Sequence, residues 1–328
     1  MRFSSALLSV SVLIAAPAFG EPPKVVADIA PVHALLAQVM DGVAGPGLLL
    51  AQNANPHAVQ LKPSQVRMLT GADLVVWVGP GLSPWLERIV TTEVGTDLAL
   101  MEHPATHLRT FGGGDGAHDG HDGHDGHDDH DSHDHGGHDD HDGHKGHDDH
   151  EGHDHSGTDP HVWLDTANAR AWLGVFAEEL AQIDPDNAAT YRANAEAAEA
   201  RIDVLEARIG GRLAAYQGAG IITFHEAFGY FADRFGIGIV GSVRPGDASA
   251  PSAAALSDLR QLVADRGVEC AFAEPGFDPG LIDAIAGETG LRVGTLDATG
   301  ALQQPGPDHY AATLEAIAVS ISDCLQGG

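Results

Sequence analysis

The sequence is poor in positive charge. Lys and Arg total 17 among 328 residues, against 47 Asp and Glu, for a formal net charge of −30. A chain this acidic repels nucleic acid and anionic membrane surfaces, so cations are its expected partners and nucleic acid is not. Two cysteines are too few for a disulfide scaffold, and leave room for one bridge or two separate buried thiols. Beyond the N-terminal stretch, no segment is apolar over the roughly 20 residues a transmembrane helix needs. No H-E-x-x-H pair and no G-x-S-x-G elbow occurs, so the common local signatures of zinc and serine hydrolases are missing.

What is present begins with an address. Arg2, the apolar run Ala6–Ala16 and the small residues of Ala18-Phe19-Gly20 stand in the order of a secretory signal peptide. The expectation is a signal peptide over residues 1–20, an exported mature protein and a periplasmic location. The length suits about two domains, each able to bury its own core.

Histidine is abundant, and most of it lies in one place. Asp115 to His155 holds 14 of the 21 histidines, 15 acidic residues and one lysine, largely as His-Asp-Gly repeats. With no large apolar side chain, such a segment cannot offset its chain entropy. It is expected to be a disordered loop, spanning 112–158 with its Gly-rich ends and inserted into a folded domain. Alternating imidazoles and carboxylates on a flexible chain are expected to bind several divalent ions weakly.

The flanking sequence alternates strands and helices. Val25–Ile29, Leu74–Gly79, Ile221–Phe224, Ile237–Val243, Ala271–Ala273 and Val293–Leu296 are short apolar runs bounded by Gly, Pro or Asp, as in buried parallel strands. Helical patterns cover Val32–Met40, Pro63–Thr70, Ser252–Arg266, Pro279–Gly290 and Tyr310–Cys324. Between Asp165 and Gly218 no strand signal appears. Ala169, Trp172, Leu173, Phe176, Leu180 and Ile183 form one helical face, capped by Asp165 or Thr166 and interrupted at Asp184-Pro185. A second, Ala- and Glu-rich helix runs from Pro185 to about Ile209. The pattern predicts an N-terminal α/β lobe (21–164), a linker helix (165–184) and a C-terminal α/β lobe (185–328).

Seven histidines lie outside the repeat: His33, His57, His103, His107, His161, His225 and His309. His57 occupies a turn-rich stretch, His161 follows the His-rich segment, and His225 ends a strand. Asp297 ends another strand. Ligands of α/β sheets collect beyond the carboxyl ends of strands. Three imidazoles with a carboxylate or water make a tetrahedral set suited to zinc, whereas manganese prefers more oxygen. Of the others, His33 is expected to pack or cap, His103 and His107 to extend the weak binding of the loop, and His309 to lie at the surface. Glu226 is either a proton acceptor beside His225 or an acid in a helix first turn.

The chain resembles the zinc-uptake solute-binding proteins of bacterial ABC transporters, the ZnuA type. The resemblance is carried by Asn55-Pro56-His57 with Leu61-Lys62-Pro63-Ser64, by Ala72–Gly79, by Asp159-Pro160-His161-Val162-Trp163-Leu164, by Thr223–Phe231, by Phe272-Ala273-Glu274-Pro275 and by the His-rich loop itself. It implies two α/β lobes joined by one long helix, with metal between them. It further implies His57, His161 and His225 as ligands, with Asp297 at the family's carboxylate position. Pro56 stands where some zinc members carry a glutamate, which leaves Asp297 or water as fourth ligand. Cys270 and Cys324 match a disulfide of many zinc members.

The implied function is capture of one zinc ion and delivery to a cognate ABC permease, without catalysis, by a monomer. A stiff linker helix restricts hinge motion, so release is expected from docking or loop rearrangement. Protons compete with metal at imidazole, so affinity is expected to fall as pH drops through roughly 6.5. The alternatives are a manganese or iron carrier of the same family, a secreted zinc hydrolase using Glu226 as base, and a metal buffer whose His-rich segment is its whole function.

Overall fold

A computed structural model describes residues 20–112, 157–244 and 251–327. The signal-peptide core and the His-rich repeat lie outside the described residues. The N-terminal lobe holds β1 (Val25–Ala27), α1 (Ala30–Val39), β2 (Gly47–Leu48), α2 (Pro63–Thr70), β3 (Leu74–Trp77), α3 (Pro84–Glu93) and β4 (Asp97–Ala99). Its sheet is wholly parallel, in the order β2-β1-β3-β4, with Val25 opposite Leu74 and Val75 opposite Asp97. Every residue of β1 and β3 is buried, which explains their unbroken apolar runs: helices cover both faces.

Two long helices follow. α4 (Thr166–Ile183) is capped by Asp165, whose Oδ1 accepts from the Ala167 N–H at 2.9 Å. It ends at Asp184, which also accepts a hydrogen bond from the Tyr191 hydroxyl. A single helical turn over Pro185–Asn187 leads into α5 (Ala188–Leu213). α5 runs four residues past the expected end, through Gly210 and Gly211. Glycine costs a helix roughly 1 kcal/mol each, but burial of Leu213 one turn further on offsets this.

The C-terminal lobe repeats the first in plan. It holds β5 (Gly220–His225), α6 (Gly229–Phe235), β6 (Gly238–Arg244), α7 (Ala253–Arg266), β7 (Cys270–Ala273), α8 (Gly280–Thr289), β8 (Arg292–Thr295) and α9 (His309–Gln326). The order β6-β5-β7-β8 is again wholly parallel. In each sheet the winding reverses between the first and third strands, and the crevice beyond those strand ends is where ligands gather.

The lobes share a core. α1 packs on α4, α5 and α9, and α5 packs on α9. One apolar cluster therefore runs from Val75 and Leu35 through Trp172, Phe176 and Ile202 to Ile221, Phe272 and Ile317. Ile222 and Ala271, one residue along, face the other way into a smaller cluster with Leu259 and Ile282 of α7 and α8. A disulfide joins Cys270 of β7 to Cys324 of α9, with Cα atoms 6.1 Å apart. No described helix is long and apolar enough to cross a membrane.

Candidate metal centre

Three histidines distant in sequence converge at the mouth between the lobes. His225 is the last residue of β5, at the reversal point of its sheet, and is 5 % exposed. Its neighbour β7 ends one residue before Glu274, and the register that pairs Thr223 with Phe272 sets Glu274 beside His225. The Glu274 Oε2 pairs with the His225 Nδ1. His161 is 2 % exposed and precedes the single turn Val162–Leu164. The Asp159 Oδ1 accepts its backbone N–H at 3.0 Å and pairs with its Nδ1 at 2.8 Å. Each carboxylate thus takes a Nδ1 and turns the Nε2 inward, the arrangement that fixes tautomer and ring orientation in metal-binding histidines. The two Nε2 atoms lie 3.3 Å apart.

His57 arrives from the N-terminal lobe on the loop between β2 and α2. Its backbone is anchored at two points: its N–H donates to the Asn55 Oδ1, and the Pro56 carbonyl accepts from Ser83 Oγ at 3.2 Å and Trp85 Nε1 at 2.7 Å. Its ring centroid is 5.4 Å from that of His161 and 6.4 Å from that of His225. One ligand atom from each of His57, His161 and His225 lies within 4.8 Å of the others, and among the described residues this is the one such group of His, Cys, Asp and Glu.

The three rings line a cavity of about 110 Å³, walled also by Trp163, Phe277 and Asp297. That is room for an ion and some water. Asp297 faces the cavity but lies outside the three-imidazole group. Its Oδ1 accepts from the Ala301 N–H at 3.0 Å and its Oδ2 from Leu302 at 2.8 Å, which folds the chain after β8 into a tight loop. The N-terminal lobe clasps that loop: Gln52 donates to the Gly300 and Gln303 carbonyls, and Trp163 Nε1 donates to the Ala298 carbonyl at 2.7 Å.

The remaining sequence candidates fall elsewhere. His309 is not at the surface: it is 1 % exposed, its Nε2 bonds the Gly300 carbonyl, and its Nδ1 has no hydrogen-bond partner among the described residues. Burial holds its imidazole below the ordinary value, against the pull of that carbonyl and of Asp297. Polar residues just before a helix look exposed in sequence, but the clasped loop folds over this one. His33 caps the Pro46 carbonyl, His103 accepts from the Ala105 N–H, and His107 pairs with Asp165. Glu226 accepts from the Gly112 N–H in a separate groove rather than serving the cavity. It also precedes α6 by three residues and so lies outside that helix's first turn.

Sequence reasoning gave no role to Asp159 and Glu274. A carboxylate two residues before a ligand histidine, or at the end of the strand paired with a ligand-bearing strand, was the available signal.

Comparison with known proteins gives a consistent result. The family described as "Zinc-uptake complex component A periplasmic" matches residues 25–324. The high-affinity zinc uptake system protein ZnuA of Paracoccus denitrificans is 46 % identical over 329 residues, covering 99 % of each chain. Its namesake in Brucella abortus is 36 % identical over 310 residues, covering 93 % of this chain and 92 % of that one. Among solved structures, a zinc-bound 138–173 deletion mutant of ZnuA superposes with a TM-score of 0.70 at 23 % identity, covering 92 % of this chain and 98 % of that one, a likeness of fold.

Proposed function

This chain belongs to the family of periplasmic zinc-uptake component A proteins, and on that premise we propose that it captures zinc tightly in the periplasm and delivers it to a cognate ABC permease of the inner membrane. The observation that carries the reading is the 3.3 Å separation of the His161 and His225 Nε2 atoms, with a third imidazole facing them. A tetrahedron with zinc–nitrogen bonds of about 2.05 Å has edges of about 3.3 Å. In this reading His57, His161 and His225 supply three neutral imidazoles to one ion, and the fourth position goes to Asp297 or to water. Three nitrogen donors favour zinc over manganese.

The task is binding and handover rather than bond chemistry. Glu226, the candidate base of a hydrolytic reading, is engaged elsewhere. Export by a signal peptide over residues 1–20, action as a monomer, and the division into lobes 21–164 and 185–328 about the strut 165–184 complete the proposal. The His-rich repeat adds a second pool of loosely held ions that raises the local zinc concentration.

Metal analysis of the purified mature protein, followed by calorimetric zinc titration, tests this. One tight zinc site that His225→Ala abolishes is the expected result, with manganese failing to displace zinc at equal concentration. Tight binding retained by His225→Ala refutes the site. A deletion of residues 115–155 should lower total stoichiometry and spare the tight site; unchanged stoichiometry removes the second pool.

A further inference from the structure

The two oxygens of Asp159 are divided between different partners. Oδ1 holds His161, while Oδ2 accepts from Arg109 Nη1 at 2.8 Å. Asp159 is fully buried and Arg109 is 11 % exposed, so this is an enclosed ion pair rather than a surface one. Arg109 spends its Nε on Asp233 of α6 at 3.0 Å, and its guanidinium lies over the Tyr230 ring, 5.7 Å from the centroid. Burial works against its charge, but Asp159 and then Asp233 more than compensate and raise its pKa above the ordinary value.

The backbone repeats the connection. The Arg109 carbonyl accepts from the Asp159 N–H, Thr110 bridges Thr158 in antiparallel fashion, and the Phe111 N–H donates to Gly157. The Tyr230 hydroxyl accepts from the Arg109 N–H and donates to the Asp159 carbonyl. α6 leaves space for the guanidinium at one position: a Cβ on Gly229 would stand 1.8 Å from Nη1. Arg109 is therefore gripped by Asp159, Asp233 and Tyr230, and it lies outside the lining of the cavity.

We propose that Arg109 is a positioning residue of the zinc site, fixing the buried carboxylate that aims His161 and tying that aim to the paired segments 109–111 and 157–159. A buried carboxylate needs a counter-charge, and a planar fork that meets two carboxylates at once gives direction as well as charge. Without it the Asp159 oxygens re-pair and the His161 ring loses its fixed angle. Partners that hold a ligand directly, as Asp159 holds His161, are worth about 10- to 100-fold in metal affinity, and Arg109 acts through that partner. The inference rests on the zinc reading above, so the parent protein and His225→Ala are measured alongside.

The test is zinc affinity by chelator competition, together with the visible spectrum of the Co²⁺-loaded protein, for Arg109→Gln and Arg109→Lys in the full mature chain. Arg109→Gln should weaken zinc by about tenfold or more and shift the cobalt bands, as a change of ligand geometry does and a general loss of stability does not. Arg109→Lys, which reaches Asp159 but cannot also fork to Asp233, should recover part of both. Should the Gln variant fail to fold, the Lys variant carries the same comparison. Affinity within twofold of the parent, or unaltered cobalt bands, overturns the proposal. Loss of tight binding in the parent itself would overturn the zinc reading instead.

Discussion

Replacing Glu274 by Gln isolates the charge behind His225. The side chain keeps its shape and a carbonyl oxygen that can still accept from Nδ1, so the ring keeps its hydrogen bond and loses only the negative charge. That charge lies one imidazole away from the proposed ion, roughly 6 Å in all with a bond of about 2 Å. At an effective dielectric of about 20, the gross attraction to a dication is about 5 kcal/mol, and desolvation of the buried carboxylate takes back much of it. The expected net loss is about 1.4–2.7 kcal/mol, a 10- to 100-fold rise in zinc Kd. Competition against a chromophoric chelator at pH 7.5 measures this, with the metal-free melting temperature as control. An unchanged Kd would show that Glu274 serves only as a packing partner, and the two-carboxylate account of the site would fail.

Three further outcomes follow from other parts of the molecule. Asp297→Ala tests the fourth ligand: a change in zinc Kd under threefold assigns it to water, and a rise of about tenfold or more assigns it to the carboxylate where Ala301→Pro, which loosens the same loop but keeps the carboxylate, leaves Kd unchanged. Cys270→Ser with Cys324→Ser opens a loop closed across 54 residues, and should lower stability by about 4 kcal/mol in denaturant titrations with zinc affinity retained; no loss would show that closing the loop does not restrict the unfolded chain. Asp28 is fully buried between the Ile29 and Val78 amides, and burial pushes its carboxyl up from 3.8 to about 7. Its folded value exceeds its unfolded one, so the stability it lends is full below about pH 3.8 and is lost as pH rises through about 7. Denaturant titrations of Asp28→Asn at pH 5 and pH 7.5 should show the variant gaining about 2.5 kcal/mol on the parent, the part of the full shift that falls between those two pH values; a constant difference would contradict the shift.

Strands β1, β3, β5 and β7 were legible because burial on both faces makes them apolar throughout, and the α4 stripe because one face packs inward. β2, α3 and β4 left little trace. β2 is two residues long, α3 buries only Leu86 and Val90, and β4 is an edge strand beginning with an exposed Asp. The ligand histidines could be named from strand ends and from family motifs. Asp159 stands two residues before His161, a local spacing that could have marked it, but Glu274 and Arg109 could not be read, since their roles arise from pairings across 49 and 50 residues that no local pattern records.

The core that runs unbroken from one sheet to the other bears on how a permease tells a loaded carrier from an empty one. A clamshell protein announces its cargo by a change of outline. Here α1, α4, α5 and α9 are packed into a common interior, and wide opening would expose apolar surface at about 25 cal/mol for every Å². Under the proposed function, this leaves small features at the rim, the His57 loop and the turn after Asp297, rather than the silhouette of the carrier, to distinguish the two states.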